Sequence, residues 1–302
     1  MIRLQRTIKR PASITGIGLH TGKPVNMTIR PAAPGGGITF VRTDLDGREV
    51  RAAAENTAAT GYATTLVEDG AEVRTVEHVL AAFSALGIDN VVAELDSDEV
   101  PIMDGSAAPF VRLVAEAGVQ VQNSTRSVIK IIKPVFVRDG HKQIALWPSE
   151  NAAISYFIDF DHPMLREQSL HFPVTEEGFM REIADARTFG FMSDIQSLRS
   201  NGLAKGASME NAVALSETSV LNKEGLRYRD EFVRHKILDL IGDLSLAGMP
   251  IIGHVVAHKS GHSLNAQLVS KLLASPESWM VIGPAEPVER HGAGEYQYQA
   301  AM

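Results

Sequence analysis

Two short stretches far apart in the chain, Thr75-Val76-Glu77-His78 and His235-Lys236-Ile237-Leu238-Asp239, carry residues whose types and spacing can do chemistry. His235 and Asp239 are four positions apart, so on a helix both side chains leave one face, close enough to share a metal ion. With His78 they make a His-His-Asp set, the ligand count of a catalytic zinc that keeps a fourth position open for water. Glu77 stands beside the first ligand as a candidate base, because neighbouring helical residues point about 100° apart. The pattern points to metal-assisted hydrolysis. An i, i+4 His/Asp pair is also the form of an ordinary surface salt bridge, and Glu77-His78 also reads as a helix start with a half-buried imidazole. Asp243 continues the polar stripe of His235 and Asp239 beside Ile237, Leu238, Leu240 and Ile241, which favours the lining of a cleft.

Further residues qualify by position. His262, in Lys259-Ser260-Gly261-His262-Ser263, falls at a strand-to-helix junction. If Asp243 lies within reach it keeps His262 protonated, a general acid for a leaving amine. Thr188-Phe189-Gly190-Phe191-Met192, with Ile195, Leu198, Gly202 and Leu203, forms an apolar stripe at helical spacing. Core packing explains such a stripe; so does a passage for an acyl chain, with Gly202, Ala204 and Gly206 leaving room. Lys142, Lys236 and Lys259 could supply a small anion site, although scattered lysines are usually ordinary surface charge. Gly16-Ile17-Gly18-Leu19-His20-Thr21-Gly22 resembles a phosphate loop, but it has no Walker pattern and no helix after it, so it reads as a hairpin or turn.

These residues need elements to hold them. Strand-like runs at 25–30, 38–42 and 62–67 precede a helix expected at 76–86, with Thr75 as N-cap and Gly87 closing it. A strand at 90–95 and a helix at 107–117 follow. After a polar stretch at 120–126 that suits a linker, strands at 128–137 and 154–160 lead to the same order again: a helix at 232–246, a strand at 251–257, a helix at 263–273. Aligning His78 with His235 brings the two helix-strand-helix runs into rough register. Such units are common enough that the pattern permits a duplication without requiring one. The expected fold class is α+β: two similar two-layer domains, each a mainly antiparallel sheet on a helix pair, the helices sandwiched between the sheets. The expected boundaries are 1–121, 127–288 and a polar tail at 289–302.

Composition narrows the classes. An apolar content of 44% suits packed cores, and the absence of cysteine excludes disulfides and thiolate metal sites, leaving His, Asp and Glu as ligands. A net charge of -7 argues against a general nucleic-acid binder. The first ten residues alternate charged and apolar types, unlike a secretion signal, and no apolar run is long enough to span a bilayer. The expectation is a cytoplasmic monomer without stable membrane insertion.

Six blocks, Gly-Ile-Gly-Leu-His-Thr-Gly at 16–22, Thr-Val-Glu-His at 75–78, Pro-Ile-Met-Asp-Gly-Ser at 101–106, Arg-Thr-Phe-Gly-Phe at 187–191, His-Lys-Ile-Leu-Asp at 235–239 and Lys-Ser-Gly-His at 259–262, occur in an order that closely resembles the UDP-3-O-acyl-N-acetylglucosamine deacetylase family. The resemblance implies zinc-dependent removal of acetate from a UDP-linked, 3-hydroxyacylated glucosamine, the committed step of lipid A synthesis in a Gram-negative cytoplasm. By matching positions, His78, His235 and Asp239 ligate Zn2+ (Fe2+ accepts the same donors), and Glu77 is the base. His262 with Asp243 is the acid, and Thr188 helps hold the oxyanion. Phe189, Phe191, Ile195, Leu198, Gly202 and Ala204 meet the acyl chain; Lys142, Phe160, Lys236 and Lys259 meet the nucleotide end. At Gly61-Tyr62-Ala63-Thr64 the chain departs from relatives that carry bulkier aliphatic residues at the mouth of the passage.

Overall fold

A computed structural model describes residues 4–283; the tail at 289–302 lies outside the described residues. Alternation builds the first sheet. In Pro24–Pro31, Val25, Met27 and Ile29 are buried while Pro24, Asn26 and Arg30 face solvent, the period-two pattern of a sheet with one covered face. Its five strands are β1 (Ala12–Ile17), β2 (Pro24–Pro31), β3 (Ile38–Arg42), β4 (Arg48–Arg51) and β5 (Val91–Leu95), in the order β1-β2-β5-β3-β4. All neighbours are antiparallel except β3 and β5. A parallel pair needs a crossover, and helix α1 (Glu77–Ala85) lies on it.

The second sheet repeats this plan. Strands β6 (Val135–Asp139), β7 (Lys142–Trp147), β8 (Ala153–Ile158), β9 (Gln168–Pro173) and β10 (His254–His258) run in the order β6-β7-β10-β8-β9, again with one parallel pair, β8 and β10. Same order, same sense and same crossover position are what a duplicated unit leaves behind. Helix α2 (Ala108–Ala117) follows the first sheet's last strand. Helix α3 (Met192–Ser200) belongs to an insert; α4 (Glu231–Ser245) is the second crossover helix, and α5 (His262–Leu273) follows β10. α1 packs on α4, α2 on α1 and β1, and α4 and α5 on the second sheet. From Glu77 to Phe83 every residue of α1 is buried, as expected of a helix covered on all sides.

Each half carries an insert between its fourth sheet strand and its crossover helix. In the first it is a three-stranded sheet (Thr57–Ala59, Thr65–Glu68, Ala71–Val73); in the second it is α3, bracketed by the parallel pair Phe189–Phe191 and Val213–Leu215.

Local differences from the sequence reading have physical causes. The run 128–137 is two strands, Val128–Ile131 and β6, separated ahead of Val135 where Pro134 removes a donor. The run 251–257 divides at Gly253: Ile251–Ile252 pairs with Val128–Ile131, whereas β10 belongs to the second sheet. A Cβ at Gly253 would press on Ile131. The polar stretch at 120–126 largely forms a strand, Val119–Thr125, paired antiparallel with Leu4–Ile8. Thr75 is not the N-cap of α1; Val76 is, without a side-chain cap bond, and Thr75 sits at φ 57° with its hydroxyl turned elsewhere. Among the described residues no helix is long and apolar enough to cross a membrane.

Candidate active site and metal centre

The closest approach of α1 and α4 brings the two sequence stretches together. Gly242 makes that approach possible, since a Cβ there would overlap the Glu77 carbonyl oxygen. At this crossing one donor atom each from His78, His235 and Asp239 lie within 4.8 Å of one another, all three residues buried. Asp239 Oδ1 is 3.2 Å from His235 Nε2 and 3.5 Å from His78 Nε2. Neighbouring ligands around one tetrahedral first-row ion, with bonds near 2.1 Å, stand about 3.4 Å apart.

The protonation pattern fits a bound cation. His235 Nδ1 lies 3.0 Å from the Ala186 carbonyl, which can only accept, so Nδ1 carries the proton and Nε2 presents a lone pair. Burial drives the His235 pKa down to about 3 despite Asp239, which keeps the ring neutral. Burial disfavours the charged form of Asp239 most strongly, yet the Lys236 ammonium, the His78 ring and the His262 imidazolium oppose it, and the carboxyl is held well below the usual range. A neutral imidazole lone pair therefore faces a buried carboxylate oxygen that has no hydrogen-bond partner among the described residues. Both are acceptors, and a cation between them removes the conflict.

The acid and base candidates flank this set. His262, the first residue of α5, lies with Nε2 4.0 Å from Glu77 Oε1 and 3.9 Å from Asp239 Oδ2. Its Nδ1 bonds to Asp243 Oδ2 at 2.9 Å. Burial is the largest single influence on His262 and opposes its charge, but the Asp243 charge and hydrogen bond, with Glu77 and Asp239, raise the pKa to about 9. Burial also raises the Glu77 carboxyl, against the pull of His262 and His78. A carboxyl and an imidazole, both with raised pKa, thus face one buried spot.

Several members of this network have no signal in the sequence. Thr64 donates its backbone N–H to Glu77 Oε2 at 3.0 Å and its hydroxyl to Asp243 Oδ1 at 2.6 Å, so the stretch at 61–64 reaches the base and the acid's partner together. Asn265 donates to Asp243 Oδ2 at 2.8 Å and accepts from Ser260 Oγ at 2.8 Å; the Tyr156 hydroxyl donates to the Ser260 carbonyl. These bonds fix the turn before His262. His20 is buried nearby: its Nδ1 accepts from Ala204 N–H at 3.3 Å, its Nε2 has no partner among the described residues, and burial lowers its pKa.

The remaining predicted residues fall in three places. Thr188 is half-buried, two residues beyond the Ala186 carbonyl that orients His235. Phe160, Phe189 and Phe191 form one aromatic cluster, with Phe160 6.0 Å from Phe189 and 6.2 Å from Phe191, and Phe189 6.3 Å from the His235 ring. Ile195 and Leu198 are half-buried on α3, a helix with no buried residue. Gly202 and Ala204 both adopt positive φ, and Ala204 is packed against His20. Lys236 is drawn to the metal set: its Nζ lies 2.7 Å from Asp239 Oδ2 and 5.7 Å from the Phe189 ring. Lys259 holds Asp159 at 2.8 Å, and Lys142 opens the neighbouring strand at the same end of the second sheet, exposed.

A family model for UDP-3-O-acyl N-acetylglycosamine deacetylase matches residues 5–274. The chain belongs to this family. The UDP-3-O-acyl-N-acetylglucosamine deacetylase of Myxococcus xanthus (strain DK1622) is 50% identical over 291 residues, covering 96% of this chain and 92% of that protein. The proteins of that name from Syntrophus aciditrophicus (strain SB) and Saccharophagus degradans (strain 2-40 / ATCC 43961 / DSM 17024) are 47% and 48% identical, covering 95% and 92% of this chain and 92% and 93% of theirs. The α+β fold, and a donor set able to hold a metal ion, agree with an enzyme of this family, a hydrolase of amide bonds. The family and the deacetylase activity expected from the six blocks hold.

Proposed function

We propose that His78, His235 and Asp239 hold a divalent first-row metal at which the acetamide of UDP-3-O-(3-hydroxyacyl)-N-acetylglucosamine is hydrolysed, the committed step of lipid A biosynthesis. The observation that carries this reading is the pairing of a raised carboxyl and a raised imidazole across one buried donor set. A bound metal would supply a water of lowered pKa and polarise the carbonyl. Zn2+ and Fe2+ both accept two imidazoles and a carboxylate.

The residues do the rest. Glu77 Oε1 accepts the proton of the attacking water, steadied by the Thr64 N–H on its other oxygen. His262 Nε2 donates its proton to the departing glucosamine nitrogen, and Asp243 keeps the imidazolium charged and oriented until then. The cationic His262 and the Thr188 hydroxyl stabilise the tetrahedral oxyanion. Phe189, Phe191, Ile195 and Leu198, with the small residues Gly202 and Ala204, face the acyl chain. Phe160, Lys142 and Lys259 bind the nucleotide end, and Lys236 holds Asp239. No stable membrane insertion is involved, and the reaction belongs to the cytoplasm, where UDP-sugars are made.

Glu77→Ala tests the core of this scheme. Metal content measured by mass spectrometry should match the parent, while acetate release from the UDP-linked acyl sugar falls about 10²- to 10⁴-fold. Full activity would remove Glu77 from the mechanism. Competition by free UDP, and a rate that depends on acyl length, separate this substrate from other N-acyl sugars.

A further inference from the structure

The loop at 16–22 and the start of α1 meet at a residue that the scheme above does not use. Glu99 has no exposed surface. Its carboxylate accepts four hydrogen bonds, none from a cation. Oε1 takes the His20 N–H and the Thr75 hydroxyl, both at 2.8 Å. Oε2 takes the Thr21 N–H at 2.8 Å and the Thr21 hydroxyl at 2.7 Å. That fills the acceptor sites of a carboxylate. Gly18 is required beside it, because a Cβ there would overlap both the Glu99 carboxylate and the Thr21 hydroxyl.

The two sides of this junction lead to different parts of the site. Thr75 lies two residues before Glu77 and three before His78, at φ 57°, a conformation that a β-branched residue adopts only when its surroundings enforce it. Its bond to Glu99 is one such restraint, and it sets where α1 begins. The loop side leads to the insert that carries α3. Gly206 N–H bonds to the Leu19 carbonyl at 3.0 Å, Lys205 N–H to the His20 carbonyl at 3.2 Å, and Ala204 N–H to His20 Nδ1 at 3.3 Å. A Cβ at Gly206 would overlap the Gly18 carbonyl, so the two backbones are in direct contact.

We infer that Glu99 is a positioning residue for the deacetylation: its carboxylate yokes the helix start that carries the base and a metal ligand to the loop that backs the acyl-side insert. The inference rests on the assignment of those two ends under the proposed function. The two hydroxyl arms are separable: the Thr75 hydroxyl on Oε1 ties the carboxylate to the metal end, while the Thr21 hydroxyl on Oε2, beside the His20 and Thr21 N–H groups, ties it to the loop at the acyl end.

Three variants test this in the metal-loaded enzyme. Thr75→Val keeps the side-chain shape and removes one hydroxyl; release of metal to a chromogenic chelator should quicken about ten-fold, the scale of a lost hydrogen bond to a charged group, with the dependence of KM on acyl length unchanged. Thr21→Val should leave metal release at the parental rate and flatten the acyl-length dependence of KM. Glu99→Gln should do both. A Glu99→Gln protein with parental metal release and parental acyl dependence, whatever its Tm, overturns the inference. If Glu99→Gln does not fold, the two threonine variants decide, and parental values in both overturn it. Metal release needs no turnover, so an active Glu77→Ala enzyme would sink the catalytic assignment without touching that arm.

Discussion

Asp243→Asn isolates the electrostatics of the acid. In the parent, burial pushes the His262 imidazolium toward its neutral form, and the Asp243 carboxylate, 2.9 Å from Nδ1, is the strongest opposing influence, followed by Glu77 and Asp239. The net result, from 6.5 to about 9, corresponds to roughly 3 kcal/mol in favour of the charged ring. An asparagine can keep the Nδ1–H bond through its amide oxygen if its nitrogen turns to the Thr64 hydroxyl, so geometry largely survives while the nearest negative charge is lost. Burial remains, and Glu77 and Asp239, at 4.0 and 3.9 Å from Nε2, still pull upward. The pKa should therefore fall back toward the ordinary imidazole value. At pH 8, where a ring of ordinary pKa is mostly neutral, kcat/KM should drop by about ten-fold or more, whereas at pH 6 the variant should stay within about two-fold of the parent. The assay is kcat/KM for acetate release between pH 5.5 and 10, with metal content checked in each preparation. An alkaline limit that stays near 9, with activity lowered evenly at every pH, would refute the role given to Asp243.

Gly242→Ala places a methyl group against the Glu77 carbonyl and should cost about 1–3 kcal/mol, read as a lower denaturation midpoint together with weaker metal retention. An unchanged midpoint would mean that α1 and α4 can part without penalty. Lys236→Gln removes the cation from Asp239 Oδ2 and should weaken metal affinity by about ten-fold in chelator competition; unchanged affinity would detach Lys236 from the metal set. The metal-free protein should also lose stability with alkali. A group whose pKa is higher folded than unfolded stabilises fully below its unfolded value and ceases to do so above its folded one, so the His262 contribution is complete below about pH 6.5 and gone above about pH 9. Urea midpoints at pH 6 and pH 10 check this, and equal midpoints would contradict it.

Helical spacing was enough to place His235, Asp239 and Asp243 on one face of α4, because i, i+4 geometry is local. The repeated helix-strand-helix order likewise anticipated two sheets that prove identical in strand order and sense. Legibility stopped where a role depends on tertiary contact alone. Thr64, Asn265 and Glu99 are ordinary polar residues whose partners lie in other elements, and no spacing rule reaches them. The family resemblance gives Lys236 to the nucleotide end; its bond to Asp239, a contact within the metal set, has no such signal in the sequence. The strand Val119–Thr125 looked like a linker because it is polar, and it is polar because it pairs on one side only and faces solvent along much of its length.

In the proposed scheme one half supplies a single imidazole and the base, and the other the second imidazole, the carboxylate and the acid. Neither half alone then holds a smaller version of the site, and hydrolysis would exist only at the seam. Affinity for the ion is therefore a direct gauge of how firmly the halves are clasped, and anything that loosens the clasp, even far from the acetamide, will first be seen as a leaking metal.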